Sequence, residues 1–305
     1  MKKKLILSSL AAIILGITGC QSNNTIKVTE NNQTIVIPKS PQKIVVMNYG
    51  ALDTLDALGK GMLVVGTSLP AIPQYLQQYK NGNVIDTGRM KEPNFDVIKQ
   101  IAPDLIIIDR RQAGQTDELS KIAPVVNLDV DATNYLESTK NHILLLGKIT
   151  GTDSLAENYI ASLDSKITHA QKIAQNSHKK ALVAIHNDGK VFLTNNGARP
   201  TLIHDVLQVK RAVPVTEQVI NPTEKQQPTL IDNHYIATNK PDIIYLVDRS
   251  KAIGNKAIEK DFFNKNTLTK SGTKIIYLTA DIWYLSGGGA ESLDRQIDEV
   301  VSGLK

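Results

Sequence analysis

One phrase occurs twice in this chain, about half its length apart. Residues 101–111 read IAPDLIIIDRR and residues 239–250 read NKPDIIYLVDRS. Each copy has Pro-Asp, a short apolar run rich in β-branched residues, and then Asp-Arg. A continuous apolar run with polar residues on either side is typical of a strand in a parallel sheet that is buried on both faces. The repeat therefore predicts two lobes, each built on a sheet of its own.

Short apolar runs alternate with helical patterns on both sides of the midpoint. In the first half we predict strands at 43–48, 63–66 and 104–109 and helices at 51–59 and 94–102. In the second half we predict strands at 180–186, 190–194, 242–248 and 274–279 and helices at 200–209 and 291–304. This βαβα order indicates an α/β fold with two Rossmann-like lobes and mainly parallel sheets.

A long helical pattern lies between the two halves. Residues 154–176 contain no proline or glycine, and apolar residues recur there every three or four positions. Ser154 and Glu157 predict a capping box at the start. A helix of this length, about 30 Å, favours a linker between lobes, although a surface helix packed on one lobe is the alternative. We therefore predict a first lobe at 39–153 and a second lobe at 177–305.

The start of the chain has the composition of an export signal. Three lysines precede an apolar run that is too short to be a comfortable membrane span. Cys20 is the only cysteine and follows Ile-Thr-Gly, a pattern that resembles the lipobox of bacterial lipoproteins. We predict a signal peptide at 1–19, lipidation of Cys20, and a tether at 20–38 that holds the protein on a bilayer. An ordinary signal with an incidental cysteine is the alternative.

The charge of the mature chain argues against nucleic acid as a partner. The whole chain has 35 basic and 30 acidic residues, a net charge of +5. Lys2, Lys3 and Lys4 lie in the predicted signal, so 32 basic residues remain against 30 acidic ones, a net charge of +2. The remainder has no lysine-rich run with interleaved aromatic residues, which is the pattern that nucleic-acid binding favours.

Three arginines are candidates for an anion site. Arg111 and Arg249 each follow a predicted strand, and open parallel sheets bind ligands beyond the carboxyl ends of their strands. Two facing lobes would aim both guanidinium groups into one cleft. The alternative is two independent arginines, each paired with its own aspartate. Arg199, between a hairpin and a helix, is the third candidate, and three arginines suit a large oxygen-rich anion.

The segment after the last predicted strand carries an aromatic pair and three glycines. Tyr284 offers a phenol oxygen that can bind Fe(III), and Trp283 offers an apolar wall, although such a pair also serves as core packing. Gly287, Gly288 and Gly289 open the terminal helix. A glycine loop there can bind an anion or can form a plain turn.

Several short motifs, taken in their order and spacing, give the chain a resemblance to one family over nearly all of its mature length. They include KIVVMNYGALDTLDALG, DLIIIDRRQ, GARPTLIHDVL, KPDIIYLVDR and DIWYLSGGGAESL. The chain resembles the periplasmic binding lipoproteins of ABC importers for ferric siderophores, especially catecholates such as enterobactin and its tetradentate fragments. The resemblance implies two Rossmann-like lobes joined by a long helix, with the ligand cleft between them.

The resemblance also implies the site residues. Three arginines surround the ferric catecholate in that family, and the matching positions are Arg111, Arg199 and Arg249, with Arg110 as an extra. A tyrosine coordinates iron in some members, and Tyr284 stands in that motif. Those members pair it with a histidine, where this chain has Gln227. The departure favours a hexadentate ligand or coordination through Tyr284 alone.

Further contacts are expected on the same basis. We expect Tyr49, Trp283 and Gln227 to contact the ligand. In the family, surface acidic residues dock on the permease, and we assign Asp96 and Glu92 in the first lobe and Asp232 in the second to that role. Partners are then the ferric siderophore, a permease in the cytoplasmic membrane and the lipid bilayer. We expect a monomer without an intrinsic cofactor.

Two other functions are weighed against this one. The same fold can bind haem, a corrinoid or a hydroxamate siderophore, although three arginines favour a multiply charged catecholate. An exported enzyme is the hypothesis from a different class. It has little support, because NYGALD follows the first strand in place of G-x-G-x-x-G and no Ser-His-Asp or paired-carboxylate motif occurs. The six histidines are scattered, which argues against a zinc receptor. We therefore predict a binding protein and not an enzyme.

Overall fold

The computed structural model describes residues 25–30, 33–215 and 228–305. The predicted signal peptide, Cys20 and Gln227 lie outside the described residues. In these three ranges, no helix has the length and apolar character needed to cross a bilayer.

The first lobe is built on a five-stranded parallel sheet. The strands of the whole lobe are β1 (Thr25–Glu30), β2 (Gln33–Pro38), β3 (Ile44–Val46), β4 (Val64–Thr67), β5 (Ile85–Asp86), β6 (Gly88–Arg89), β7 (Glu92–Pro93), β8 (Leu105–Ile108) and β9 (Val125–Asn127). Its helices are α1 (Tyr49–Ala57), α2 (Phe95–Ile101), α3 (Thr116–Ser120) and α4 (Tyr135–Thr150). The sheet has the order β5-β4-β3-β8-β9, while β1-β2 and β6-β7 form separate antiparallel pairs. The β1-β2 pair falls within 20–38, the range predicted as a tether, but Ile26 and Ile37 are buried in the apolar core, so this part of the range belongs to the folded lobe. All four residues of β8 are buried, as the first copy of the repeat predicts.

The second lobe repeats the arrangement with one antiparallel edge. After α5 (Asp153–Ser177) come β10 (Lys180–Asn187), β11 (Lys190–Leu193), α6 (Ala198–Pro200), β12 (Lys210–Arg211), α7 (Asn233–Asn239), β13 (Ile243–Asp248), α8 (Arg249–Ala252), α9 (Lys265–Ser271), β14 (Lys274–Leu278), α10 (Ala280–Tyr284) and α11 (Ala290–Leu304). The sheet order is β11-β10-β13-β14, and β12 also pairs with β10. β11 is antiparallel to β10, and the other pairs are parallel. The predicted α/β fold with mainly parallel sheets is confirmed.

The long central helix is present, but it begins differently from the prediction. α5 starts at Asp153, and Thr152 occupies the N-cap without a side-chain hydrogen bond to the helix. The capping box predicted for Ser154 and Glu157 is therefore wrong, because both residues lie inside the helix and not at the N-cap and N3 positions. α5 packs on α4 through the ion pair of Lys140 with Asp164 (2.6 Å).

The helix predicted at 200–209 is also only partly correct. One turn of α-helix ends at Pro200, and Thr201–Val206 then forms a π-helical turn. The π turn shifts the backbone hydrogen bonds of this segment, with Leu207 N–H donating to the carbonyl of Leu202 (2.9 Å). The helical periodicity of the sequence does not distinguish these two conformations.

Both lobes share one apolar core. The largest cluster of buried apolar side chains contains Leu52 from α1, Leu105 from β8, Tyr245 from β13 and Leu293 from α11. Each lobe has a smaller second cluster on the other side of its sheet. α11 packs on α1, α4 and α5, so the last helix of the second lobe lies against the first lobe.

Candidate ligand-binding site

A cavity of about 260 Å³ lies between the carboxyl ends of the two sheets. The first lobe supplies residues that follow β8 and β9 together with the start of α4. The second lobe supplies α6 and the end of α10. Ten polar or aromatic residues line it: Asn48, Asp109, Arg110, Arg111, Asp129, Tyr135, Arg199, Trp283, Tyr284 and Gln296.

Tyr284 is held by two arginines of the second lobe. The Cζ atoms of Arg199 and Arg249 each lie 5.4 Å from the centre of its ring. Arg249 Nε donates to the phenol oxygen at 2.7 Å, and its Nη1 donates to Asn187 Oδ1. Arg249 contacts Tyr284 without lining the cavity itself. The ring of Tyr284 therefore lies close to two positive charges.

Arg199 carries a charge that is not balanced by a carboxylate among the described residues. Its Nε donates to the backbone carbonyl of Trp283 at 3.0 Å. Burial lowers the pKa of Arg199 to about 10, and the positive charge of Arg110 acts in the same direction. The group is still protonated at pH 7. An anion in the cavity would favour its charged form.

Arg111, in contrast, is already paired. Its Nη1 binds Asp109, and Asp109 also accepts the backbone N–H of Arg111 at 2.7 Å. Its Nη2 reaches across the cavity to the carbonyl of Tyr284 at 3.0 Å. The alternative of an arginine paired with its own aspartate therefore holds for Arg111. The same contact with Tyr284 ties the first lobe to the second.

Arg110 is the exposed cation of the first lobe at this cavity. Within the part of the chain that the structure describes, its guanidinium group has no hydrogen bond or ion pair. Asp129 also lines the cavity, and no ion pair joins it to Arg110. Sequence reasoning treated Arg110 as an extra, whereas its exposure makes it more available to a ligand than Arg111.

The aromatic residues divide between the cavity and the core. Trp283 lines the cavity but is only 3% exposed, and its indole N–H donates to Glu299 at 2.8 Å. Tyr49 is fully buried and donates to the carbonyl of Ser68 at 2.7 Å. Burial raises the pKa of Tyr49 to about 12. The prediction that Tyr49 contacts the ligand is wrong, because this side chain is directed into the core.

Three uncharged polar residues at the cavity, Asn48, Tyr135 and Gln296, were missed from the sequence. Asn48 caps α1 and donates to the carbonyl of Leu128 at 2.8 Å. Tyr135 donates to Gln296 at 2.9 Å, and burial raises the pKa of Tyr135. Asn48 follows β3 at a carboxyl end and was open to prediction on that ground. Tyr135 and Gln296 lie inside helices, and no sequence signal marks them.

The acidic residues assigned to permease docking lie on the surface. Glu92 and Asp96 are exposed on the first lobe, and Asp232 is exposed on the second, where it caps α7 by accepting the N–H of Tyr235 at 2.8 Å. Their role in docking stays a prediction. Over the described ranges, no group of three or more His, Cys, Asp or Glu side chains is arranged to hold a metal ion.

Comparison with known proteins gives one consistent result. The model of the periplasmic binding protein family matches residues 44–273. The petrobactin-binding protein YclQ of Bacillus subtilis is 35% identical over 99% of this chain and 98% of its own length. Its crystal structure superposes with a TM-score of 0.83 over 92% of this chain and 99% of that one, at 36% identity.

Two further proteins show similar matches. The ferric-anguibactin-binding protein FatB of Vibrio anguillarum is 29% identical over 92% of this chain and 88% of its own length. The crystal structure of the periplasmic catecholate-siderophore binding protein VctP from Vibrio cholerae has a TM-score of 0.77 at 27% identity. It covers 91% of this chain and 99% of that one.

Proposed function

This chain belongs to the periplasmic binding protein family, and we propose that it is the siderophore receptor of an ABC importer for iron. It binds a ferric catecholate siderophore between its lobes and delivers the complex to the permease. The observation that carries the choice of ligand is the pair of guanidinium groups over Tyr284 at the edge of a cationic cavity.

Charge favours a catecholate over the alternatives. Arg110, Arg111 and Arg199 line the cavity and Arg249 adjoins it, against Asp109 and Asp129, so four positive charges oppose two negative ones. A ferric catecholate carries several negative charges, each able to accept hydrogen bonds worth about 1.5–3 kcal/mol. A neutral ferric hydroxamate would leave Arg199 unbalanced in a partly desolvated site.

The role of Tyr284 follows from its oxygen. Its phenol oxygen lies 2.7 Å from a guanidinium donor, so a ligand that leaves iron coordination sites open can take this oxygen as a phenolate. A hexadentate siderophore would fill those sites itself and contact Tyr284 through hydrogen bonds. Both modes use the same arginines.

A titration panel tests the ligand class. Trp283 is the only tryptophan and lines the cavity, so bound ferric complexes should quench its fluorescence. We expect sub-micromolar binding of ferric petrobactin or ferric enterobactin, and much weaker responses to a ferric trihydroxamate, a corrinoid and haem. A stronger response to haem or the hydroxamate than to every ferric catecholate would contradict the proposal.

Tyr284→Phe separates the two modes of iron binding. If the phenol oxygen coordinates iron, the variant should change the charge-transfer band of the bound complex, and Tyr277→Phe, an exposed tyrosine on β14, should not. If the spectra of both variants matched that of the wild type, Tyr284 would contact the complex only by packing and hydrogen bonds.

We also propose the location of the protein at the membrane. The lipobox-like residues before Cys20 support export and lipid anchoring, which would keep the receptor beside its permease without a membrane-spanning segment. Cys20→Ala should release the protein from the membrane fraction into the soluble one. Retention of the variant on the membrane would contradict lipidation at this residue.

A further inference from the structure

A buried aspartate joins the two lobes away from the arginines. Asp53 lies in α1 of the first lobe and is fully buried. Its carboxylate oxygens accept the backbone N–H groups of Glu291 at 3.3 Å and Ser292 at 3.1 Å, and the hydroxyl of Tyr75 at 2.8 Å. The neighbouring Thr54 hydroxyl accepts the N–H of Ala290 at 3.0 Å. Side chains of the first lobe thus satisfy the free N–H groups of α11.

The three glycines before α11 allow this contact. A Cβ atom on Gly289 would lie 2.0 Å from Asp53 Oδ1, and one on Gly288 would lie 2.2 Å from a methyl group of Val130. Gly288 also has a φ angle of +99°, which favours glycine. The glycine loop is therefore a close contact between lobes. The helix N-terminus that was considered as an anion site is occupied by Asp53.

The position of α11 determines part of the cavity wall. Gln296 of α11 and Tyr135 of α4 both line the cavity and are joined by a hydrogen bond of 2.9 Å. Gly287, in the loop held by Asp53, lines it as well. Tyr284 lies only three residues before that loop. A shift of α11 relative to α1 would therefore move the wall and the segment that carries Tyr284.

We propose that Asp53 is a positioning residue for the ligand site, which fixes α11 against α1 and so sets the spacing of the lobes before the ligand arrives. This inference rests on the proposed function for its ligand readout. A preformed site binds more tightly, because the apparent dissociation constant rises when only a fraction of the molecules has the competent arrangement.

The environment of Asp53 makes its three hydrogen bonds important. Burial raises the pKa of Asp53 to about 7, and the hydrogen bonds from Ser292 and Tyr75 favour the charged form and offset part of that cost. No cation contacts it among the described residues. The titratable groups that face it are Tyr75, Tyr79, Tyr135, Tyr159 and Glu291.

The test compares two aspartates of α1. Asp53→Asn keeps the size of the side chain but cannot accept from all three donors. Asp56→Asn is the matched control, because Asp56 accepts from Gln78 and the hydroxyl of Tyr79, both within the first lobe. Ferric petrobactin and ferric enterobactin are titrated into both variants and the wild type well below the unfolding temperature. Amide hydrogen exchange of α11 is measured without ligand.

We expect Asp53→Asn to weaken binding of the ferric siderophore about tenfold and to speed exchange at Glu291 and Ser292. Saturating ligand should restore the slow exchange. Asp56→Asn should leave affinity and α11 exchange unchanged. Thr54→Val removes the acceptor of the Ala290 N–H, which belongs to the same contact between α1 and α11. It should show the same changes to a smaller extent, and it replaces Asp53→Asn if that variant does not fold.

Equal affinity and equal exchange in the Asp53 and Asp56 variants would overturn the inference. A wild type that binds neither ferric siderophore would contradict the proposed function instead. The hydrogen-exchange data would still show whether Asp53 fixes α11 against α1.

Discussion

The two copies of the repeated phrase use their aspartates in opposite ways. In the first lobe Asp109 binds Arg111, so this arginine is balanced within its own lobe. In the second lobe Asp248 binds His186 Nδ1 at 2.7 Å and caps nearby backbone N–H groups. Arg249 is therefore left to contact Tyr284 in the site. At these two matching positions, the second lobe offers Arg249 without a carboxylate partner, whereas the first lobe offers Arg111, which is already paired with Asp109.

The neighbouring strand explains the difference. The pairing of β10 with β13 places His186 beside Asp248. Continuing the pairing of β3 with β8 places Asn48 beside Asp109, but the side chain of Asn48 caps α1 and donates to a backbone carbonyl. Asp109 consequently turns to Arg111. A repeated phrase fixes the position of a residue in the fold, whereas its neighbour on the next strand decides its partner.

Removing each aspartate should show the largest difference between the lobes. Asp248→Ala leaves His186 and two backbone N–H groups without their acceptor in a buried place, so we expect the free energy of unfolding to fall by about 3 kcal/mol. Asp109→Ala should cost about 1 kcal/mol, because its partner Arg111 can reach the cavity. Urea unfolding monitored by circular dichroism measures both. Equal losses would contradict the comparison.

The pH dependence of stability sharpens the same point. Burial alone would raise the pKa of Asp248, but the hydrogen bonds from His186 and from the backbone outweigh it and lower the pKa. The stabilisation is therefore present above the pKa of the unfolded state, near 4, and is lost as the pH falls through the folded value. Asp248→Asn should therefore reduce the loss of stability as the pH falls below about 4. If the variant lost stability at low pH as steeply as the wild type, Asp248 would not be responsible for this pH dependence.

Arginines of the second lobe should dominate binding. Arg249→Ala removes the donor to Tyr284 and one positive charge beside its ring, and Arg199→Ala removes a buried cavity charge that has no carboxylate partner among the described residues. We expect each to weaken ferric siderophore binding about 30-fold, or about 2 kcal/mol. Arg211→Ala is the control, because Arg211 pairs with Asp205 and does not line the cavity. A residue whose removal leaves the affinity unchanged is not part of the site.

The sequence predicts the fold well because the spacing of apolar residues reflects which side chains are buried. The apolar runs of β8 and β13 lie within one or two residues of the predicted bounds, and α11 begins within one residue. Local conformations that depend on tertiary contacts were not predictable. The π turn after Pro200 and the uncapped start of α5 are the two cases.

The site was predictable only where it follows the sheet edges. Arg111 and Arg249 follow strands, and their place beside Tyr284 agrees with that rule. Tyr49 follows a strand too, but its hydroxyl points into the core, because side-chain direction depends on packing that the sequence does not show. Pairing within the site is equally hidden, since Asp109 and Asp248 have the same local sequence.

Asp109→Asn should turn the first lobe into a better anion site. The amide cannot form an ion pair with Arg111 but still accepts a hydrogen bond, so the guanidinium charge becomes available to the ligand. We expect the affinity for a ferric catecholate to rise about fivefold, or about 1 kcal/mol. Asp205→Asn releases Arg211 outside the cavity and should have no effect. A weaker affinity in Asp109→Asn would show that the ion pair positions Arg111 for the ligand.

Arg110→Ala should have the smallest effect on affinity. Arg110 lines the cavity, yet it is exposed, so water and salt screen its attraction for an anion. We expect a loss of about threefold at 0.15 M salt that grows at low ionic strength, chiefly through slower association. Arg89→Ala provides the control, because Arg89 is exposed on the same lobe and outside the cavity. A loss as large as that of Arg249→Ala would place an unscreened ligand contact on the first lobe and remove the difference between the lobes.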